Sequence, residues 1–310
     1  MLFHKFFLQS SFVFDLFLEN KTYLPYTKTI LNVINSERFV KNEQITIKKK
    51  TFLVTDIPDY IKVNTAKNSK FLNVKQYQGA LVNLSDYESV EDYLKQQFSK
   101  RNYKNLFSKE RKLYRNYKIK EKVFHGAISK EEFDFIFNVF YTMLKKRFEQ
   151  KKVKNRYLKN WVKTKAGVYN NILSKKASLH VIFDELTPIA ITLNYHKDNT
   201  TFSHIQVYDI NYSKYNMGDL CMLNHLKWCF KNNITVFDMA IEVTPYKTKW
   251  CNHIYYFYSR IYYRKASLVS ILVAQLIYFE LRVLQLLRDK NVIGGIFSVD
   301  KVLYKLQRIC

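Results

Sequence analysis

Between residues 87 and 117, apolar side chains return every three or four positions, at Val90, Tyr93, Leu94, Phe98, Leu106, Leu113 and Tyr117, with bases between them. That period predicts a long amphipathic helical region, broken near Arg101, whose exposed face is strongly basic. Residues 130–150 and 158–173 carry the same period and predict two further helices. The pattern then shortens. Residues 177–184, 187–195 and 201–208 are strand-like runs joined by Asp184-Glu185-Leu186 and Lys197-Asp198-Asn199, so an antiparallel meander is expected. Leu220, Leu223, Leu226 and Phe230 restore helical spacing, with Asn216 as N-cap and Asp219 three residues on as a capping-box partner. Asn232-Asn233 ends that helix. Residues 234–241 read as a buried strand on which Asp238, Ala240 and Glu242 alternate onto one face.

The flanks are less regular. Residues 1–21 are apolar yet interrupted by Asp15, and they lack a small-residue cleavage site, so they read as a packed element. Residues 20–85 mix short β-like runs, 44–54 and 80–84 among them, with polar connections. Residues 268–287 form an apolar stretch containing Gln275, Glu280, Arg282 and Gln285, in which the gain from the apolar side chains and the cost of the two charges nearly cancel. With Arg260, Arg264, Lys265, Arg288 and Lys290 around it, a helix that closes the fold or lies against a membrane surface is expected before one that spans.

A chain of 310 residues is long enough for two lobes. The net charge of +25 points toward nucleic acid or anionic lipid. Lys, Asn, Ile, Phe and Tyr are all abundant while Gly and Pro are scarce, so part of that charge reads as compositional bias. Cys221, Cys229, Cys251 and Cys310 form no CxxC pair and no ligand cluster with the histidines, which argues against a metal site or a disulfide framework and fits a reducing cytoplasm.

Residues 208–250 read YDINYSKYNMGDLCMLNHLKWCFKNNITVFDMAIEVTPYKTKW. A YD strand end, a tyrosine-rich turn, a helix opened by Gly, an FD strand and PYK with a Trp resemble the FemAB-like branch of the GNAT acyltransferase superfamily. The nearest resemblance is to acetyltransferase domains of the CelD/BcsL type, associated with bacterial surface polysaccharides. FSKRNYKNLFSKERKLYR, residues 98–115, is similar to that group's basic helix, and the likeness extends over residues 81–250. It implies an α+β fold of tandem GNAT-like lobes, mixed and largely antiparallel sheets flanked by helices: residues 1–125, then an acyltransferase lobe at 126–253, then a basic, apolar helical tail at 254–310.

The resemblance also implies a chemistry. Acetyl-CoA or another acyl-CoA would be the co-substrate, without a metal, its pyrophosphate held by backbone amides at a helix N-terminus. The matching turn offers Ser213, Lys214, Asn216 and Gly218. Of the superfamily's glycine pattern only Gly218 is kept, and Asp219 adds a negative charge beside it. Glu242 and Asp238 fall where a base for the amine is expected, Tyr246 where a general acid for the thiolate is expected, and Lys247 where the PYK lysine would neutralise a developing oxyanion. On the acceptor side stand His204, which would titrate near neutral pH, with Gln206 and Tyr208 on the same strand face, and Arg101 on the basic helix.

The expected activity is therefore N-acyl transfer to a small-molecule or lipid-linked amine, such as an amino sugar of a cell-surface precursor, by a cytoplasmic protein peripheral to the inner membrane face. Two alternatives stay open. One is a FemAB-type transfer from aminoacyl-tRNA to a peptidoglycan precursor, and the other is a non-catalytic basic module binding nucleic acid or anionic lipid.

Overall fold

The computed structural model describes residues 2–19, 21, 26–28, 49–63, 69–153, 155 and 157–293. Its elements, in chain order, are β1 (Leu8–Ser11), α1 (Phe12–Leu18), β2 (Tyr26–Lys28), β3 (Thr51–Pro58), β4 (Ile61–Val63), β5 (Ser69–Asn83), α2 (Val90–Gln97), α3 (Lys100–Asn116), β6 (Ile119–Phe124), α4 (Lys130–Lys151) and α5 (Trp161–Leu173). They continue with β7 (Ala177–Asp184), β8 (Thr187–Lys197), β9 (Thr200–Tyr208), α6 (Met217–Lys231), β10 (Val236–Ile241), α7 (Pro245–Trp250), β11 (His253–Arg264) and α8 (Leu268–Asp289). Mixed sheets flanked by helices are what the resemblance implies.

The chain divides differently from the expected 1–125, 126–253 and 254–310. One unit gathers Met1–Ala80, Ile241–Thr244 and His253–Ser298; the other holds Leu81–Ala240 and Pro245–Asn252. The reason is long-range pairing. The expected tail begins not with a helix but with β11, which runs antiparallel to β3, with Ile261 opposite Leu53. Residues 294–310 lie outside the described residues, as do 44–48 of the expected 44–54 strand.

In the first unit the strand order is β1-β3-β11-β5, and β2 pairs with β4. Leu53, Val74 and Ile261 from the strands meet Ala274, Ile277 and Leu281 from α8, all fully or almost fully buried. Gly79 has no room for a side chain, because a Cβ there would lie 2.3 Å from the ring of Tyr255. The N-terminal apolar segment is packed as expected, through Phe12, Val13, Leu16 and Phe17 of α1.

In the second unit the order is β10-β9-β8-β7-β6. The β6 to β9 neighbours are antiparallel and β10 is parallel to β9, with Asp238 opposite Phe202. The predicted meander is present to within two residues at each end. Phe133, Phe137 and Phe140 of α4 are fully buried, and the last two pack on Trp161 of α5 with ring centroids 5.0 and 5.4 Å away. Burial of one such Phe stabilises by about 1.5–3 kcal/mol. Serines start the helices: the hydroxyls of Ser89, Ser99 and Ser129 accept from the backbone N–H three residues on, at 3.1, 3.2 and 3.1 Å. The break between α2 and α3 falls at Phe98-Ser99, beside the expected Arg101.

Four histidines of this unit share one buried neighbourhood. His125, His180 and His196 lie around Trp228 at 5.2, 5.4 and 4.9 Å, and His225 stands 4.4 Å from His180. Burial pushes His196 and His225 down to about 3 and His180 well below its ordinary value. These imidazoles are neutral in the native state, whereas an unfolded chain protonates each near pH 6.5. The native state thus binds fewer protons below that pH, and stability falls as pH drops from 6.5 toward the folded values. We expect denaturant midpoints to be level above pH 6.5 and to decline below it, by about 1.4 kcal/mol per pH unit for each contributing His. A midpoint unchanged from pH 7 to 5 would contradict buried, neutral imidazoles.

Candidate active site

The start of α6 is built as a cup. After β9, Asp209 Oδ1 accepts from the Asn211 N–H at 3.0 Å, and a tight 3-10 turn, Ile210–Tyr215, carries the chain to Asn216. Asn216 sits in the left-handed region at φ 55°, with no side-chain capping bond. The expected capping box is thus absent, because a left-handed Asn216 turns its amide away from the helix amides. Tyr215 is buried and its hydroxyl accepts from Asn116 Nδ2 at 2.9 Å; Lys109 Nζ donates to the Lys214 carbonyl at 2.6 Å. The first N–H groups of the helix, on Met217 and Gly218, have no partner within it. Here the helix dipole favours an anion, and Lys109 and Lys214 add positive charge.

Asp219 does not face that anion site as a free charge. It is 8 % exposed, with Oδ1 accepting from Trp250 Nε1 at 2.8 Å and Oδ2 paired with Lys249 Nζ at 2.6 Å. Trp250 is fully buried, packs edge-on against Phe98 at 4.8 Å, and its carbonyl accepts from the Tyr93 hydroxyl. Gln97 Nε2 donates to the Cys251 carbonyl at 2.8 Å. These bonds fix α7 against the start of α6.

Tyr246 consequently points its hydroxyl at the Gly218 carbonyl, 2.8 Å away, and it also bonds Gln206. Its ring is 37 % exposed at one edge while the hydroxyl end is desolvated, which pushes its pKa well above the ordinary value. A Cβ on Gly218 would meet Tyr246 and Gln206 at 3.6–3.9 Å, ordinary van der Waals contact, so those two side chains pack over this glycine.

The remaining sequence-assigned residues fall into distinct places. Asp238 is fully buried, with Oδ1 accepting from the Ala240 N–H at 2.7 Å. Lys247 Nζ donates to the Ala240 carbonyl at 3.4 Å. Ala240 and Glu242 have φ of 60° and 71°. Positive φ breaks the pleat, so the expected alternation of Asp238, Ala240 and Glu242 onto one face does not hold. Glu242 belongs to the first unit, exposed, with its N–H on the Gln78 carbonyl at 3.0 Å. Ser213 contributes its carbonyl to the turn, accepting from the Asn216 N–H at 3.0 Å. Arg101 is exposed on α3. His204 lies between the rings of Tyr195 and Tyr157, at 5.5 and 5.7 Å, and desolvation lowers it to about 4, so it does not titrate near neutral pH as expected. Tyr208 lies under the Arg147 guanidinium at 4.9 Å. Beside it a pocket of about 600 Å³ opens between α4 and the end of β9, lined by Asn138, Lys146 and Arg147 among others.

The structure thus joins Gln206, Gly218 and Tyr246 directly. Sequence reading missed Lys109, Arg147 and Lys249, and it gave Asp219 the wrong partner. Each of these contacts links residues 30 to 105 positions apart, and no local spacing announces them.

The family model of the acetyltransferase (GNAT) domain matches residues 100–248. No curated protein sequence matches the chain. Among solved structures, FemX superposes with a TM-score of 0.50 at 9 % identity, covering 74 % of this chain and 75 % of that one. The C-terminal domain of a putative lysylphosphatidylglycerol synthetase from Agrobacterium fabrum gives 0.48 at 10 % identity, covering 80 % and 74 %; L-PGS from Bacillus licheniformis gives 0.45 at 15 %, covering 73 % and 72 %. Residues 100–248 match the GNAT-type acetyltransferase domain, and that match supports an acyltransferase.

Proposed function

We propose that the protein transfers an acyl group from acyl-CoA to the amine of an amino sugar or similar cell-surface precursor. The observation that carries this reading is the α6 start: a part-exposed Gly218 in the first turn and a neutralised Asp219, with the Tyr246 hydroxyl on the Gly218 carbonyl. That arrangement fits a diphosphate leading into a thioester arm. The Gly218 amide, with Lys109 and Lys214, would hold the diphosphate, and the bound thioester supplies the acyl group.

The chain's own residues then divide the proton work. The acceptor attacks as the free amine, its ammonium proton lost to water, and forms the new C–N bond at the thioester carbon. Lys247 offsets negative charge gathering on the carbonyl oxygen. As the C–S bond breaks, the Tyr246 hydroxyl gives its proton to sulfur and recovers one from the newly acylated nitrogen. Its raised pKa keeps that proton in place at neutral pH until a thiolate forms. Asp238, spent on the Ala240 amide, keeps the end of β10 in shape. Tyr208 and the pocket by Arg147 are where part of the acceptor would rest. The protein would work in the cytoplasm, at the membrane's inner face.

A second reading is aminoacyl transfer from tRNA, favoured by the exposed bases of α3, Lys100, Arg101, Lys104, Arg111, Lys112 and Arg115. Salt separates the two: tRNA binding should fall steeply through counterion release, while binding of one diphosphate falls modestly.

Gly218→Glu places a carboxylate in the cup, and we expect it to weaken acetyl-CoA binding by tenfold or more in isothermal titration, with the melting temperature little changed. Unaltered affinity would move the cofactor site elsewhere. Tyr246→Phe should lower kcat by about 100-fold with a smaller effect on KM for acyl-CoA. Near-normal turnover would refute the assigned acid.

A further inference from the structure

Among the described residues, one face of α8 has no partner. Ser270, Ala274, Ile277 and Leu281 are buried on the first unit, whereas Leu272, Leu276, Phe279, Val283 and Leu286 are 40–69 % exposed. Their spacing of four and three residues draws one continuous apolar stripe along the helix. The N-terminal 3-10 turn extends it with Phe3 and Phe6, also exposed. Among the described residues, α8 is also the helix long and apolar enough to cross a membrane by length and composition, yet its opposite face is committed to the core. The acid on this helix nearest the stripe is spent: Glu280 accepts from the N–H groups of Phe3 and His4 at 3.0 and 2.7 Å.

The same helix walls a polar pocket of about 740 Å³ whose lining belongs wholly to the first unit. Lys75 of β5 and Arg282 and Arg288 of α8 face it, and none of the three makes an ion pair among the described residues. Neutral neighbours hold them in place. Arg288 Nη1 donates to Gln76 Oε1 at 3.1 Å, and Lys75 Nζ lies 3.3 Å from the centroid of Tyr256. Two carboxylates share the pocket. Asp289 accepts from Gln285 at 2.8 Å, and Glu242 is the other.

We propose that this pocket receives an acceptor carrying both an amine and a phosphate, linked to a lipid. The phosphate rests on Arg282 and Arg288, the ammonium turns to Glu242, and the hydrocarbon stays in an anionic bilayer on which the α8 stripe lies. Arginines suit the phosphate because their planar guanidinium groups donate in pairs. An apolar stripe beside a cluster of bases is the arrangement that binds an anionic interface. The inference rests on the acyltransferase reading, since that reading calls for an amine-bearing acceptor.

Two probes test it on the full-length protein. Glucosamine 1-phosphate, which carries the amine and the phosphate without a lipid, should bind the wild type, and Arg282→Gln/Arg288→Gln should weaken it by tenfold or more; Lys75→Gln, on a different element, should weaken it severalfold. Sedimentation with vesicles should show binding to phosphatidylcholine containing phosphatidylglycerol, little binding to phosphatidylcholine alone, and loss of vesicle binding in Leu276→Ser/Phe279→Ser with probe affinity kept. Probe affinity unchanged in both basic variants would overturn the pocket. Vesicle binding that ignores phosphatidylglycerol, or survives loss of the stripe, would overturn the lipid assignment. Acetyl-CoA titrated in parallel keeps the two readings apart: if it binds while the probe does not, only this inference falls, and if the probe binds while acetyl-CoA does not, the acyl-CoA reading falls.

Discussion

The carboxylate of Asp219 holds the candidate site together. It is nearly buried, and a buried carboxylate persists only when its lone pairs are filled. Trp250 Nε1 and Lys249 Nζ fill them, and both donors sit on the last turn of α7, so satisfying the charge brings α7 to the first turn of α6. Tyr246, one turn earlier on α7, then has its hydroxyl on the Gly218 carbonyl. Removing one partner of such a buried pair characteristically costs about 3–5 kcal/mol. The same bonds remove the objection that Asp219 would repel a phosphate at the helix start. Its charge is answered on the α7 side, and Gly218 beside it stays part-exposed.

The reach of the sequence follows from the range of the interactions involved. Hydrophobic periodicity located α4, α6, the meander and β10, because each buries one face and the alternation or helical period is written locally. Left-handed residues are not written that way. Ala240 and Glu242 hold positive φ at the end of β10, so the inference that Asp238 and Glu242 share a face failed, although both lie in a strand-like run. Asp219 followed an Asn by three residues, a spacing that suggests a capping box, but Trp250 and Lys249, thirty or more residues away, compete more strongly for its oxygens. The division of the chain was equally illegible, since β11 completes a sheet with β3 across about two hundred residues of chain.

The histidines and the basic residues illustrate the same limit from the side of electrostatics. A lone His204 on a strand reads as a titrating group, yet the rings of Tyr157 and Tyr195 desolvate it, and it is neutral well below pH 7. The excess of positive charge reads as diffuse in composition. In three dimensions it resolves into local roles: Lys249 neutralises Asp219, Lys109 braces the Lys214 carbonyl, and Arg282 and Arg288 line a polar pocket. Where a cation is placed decides what it does, and the sequence states only that it is there.

A GNAT-type domain serves many acyl-transfer chemistries, so the weight falls on whether the α6 start binds a diphosphate in this chain. Hydrogen–deuterium exchange with and without acetyl-CoA addresses that directly. Slower exchange at the amides of residues 216–222, with a smaller effect on 245–251, is the expected result; exchange at both segments that is indifferent to acetyl-CoA, or protection confined to other parts of the chain, would contradict it.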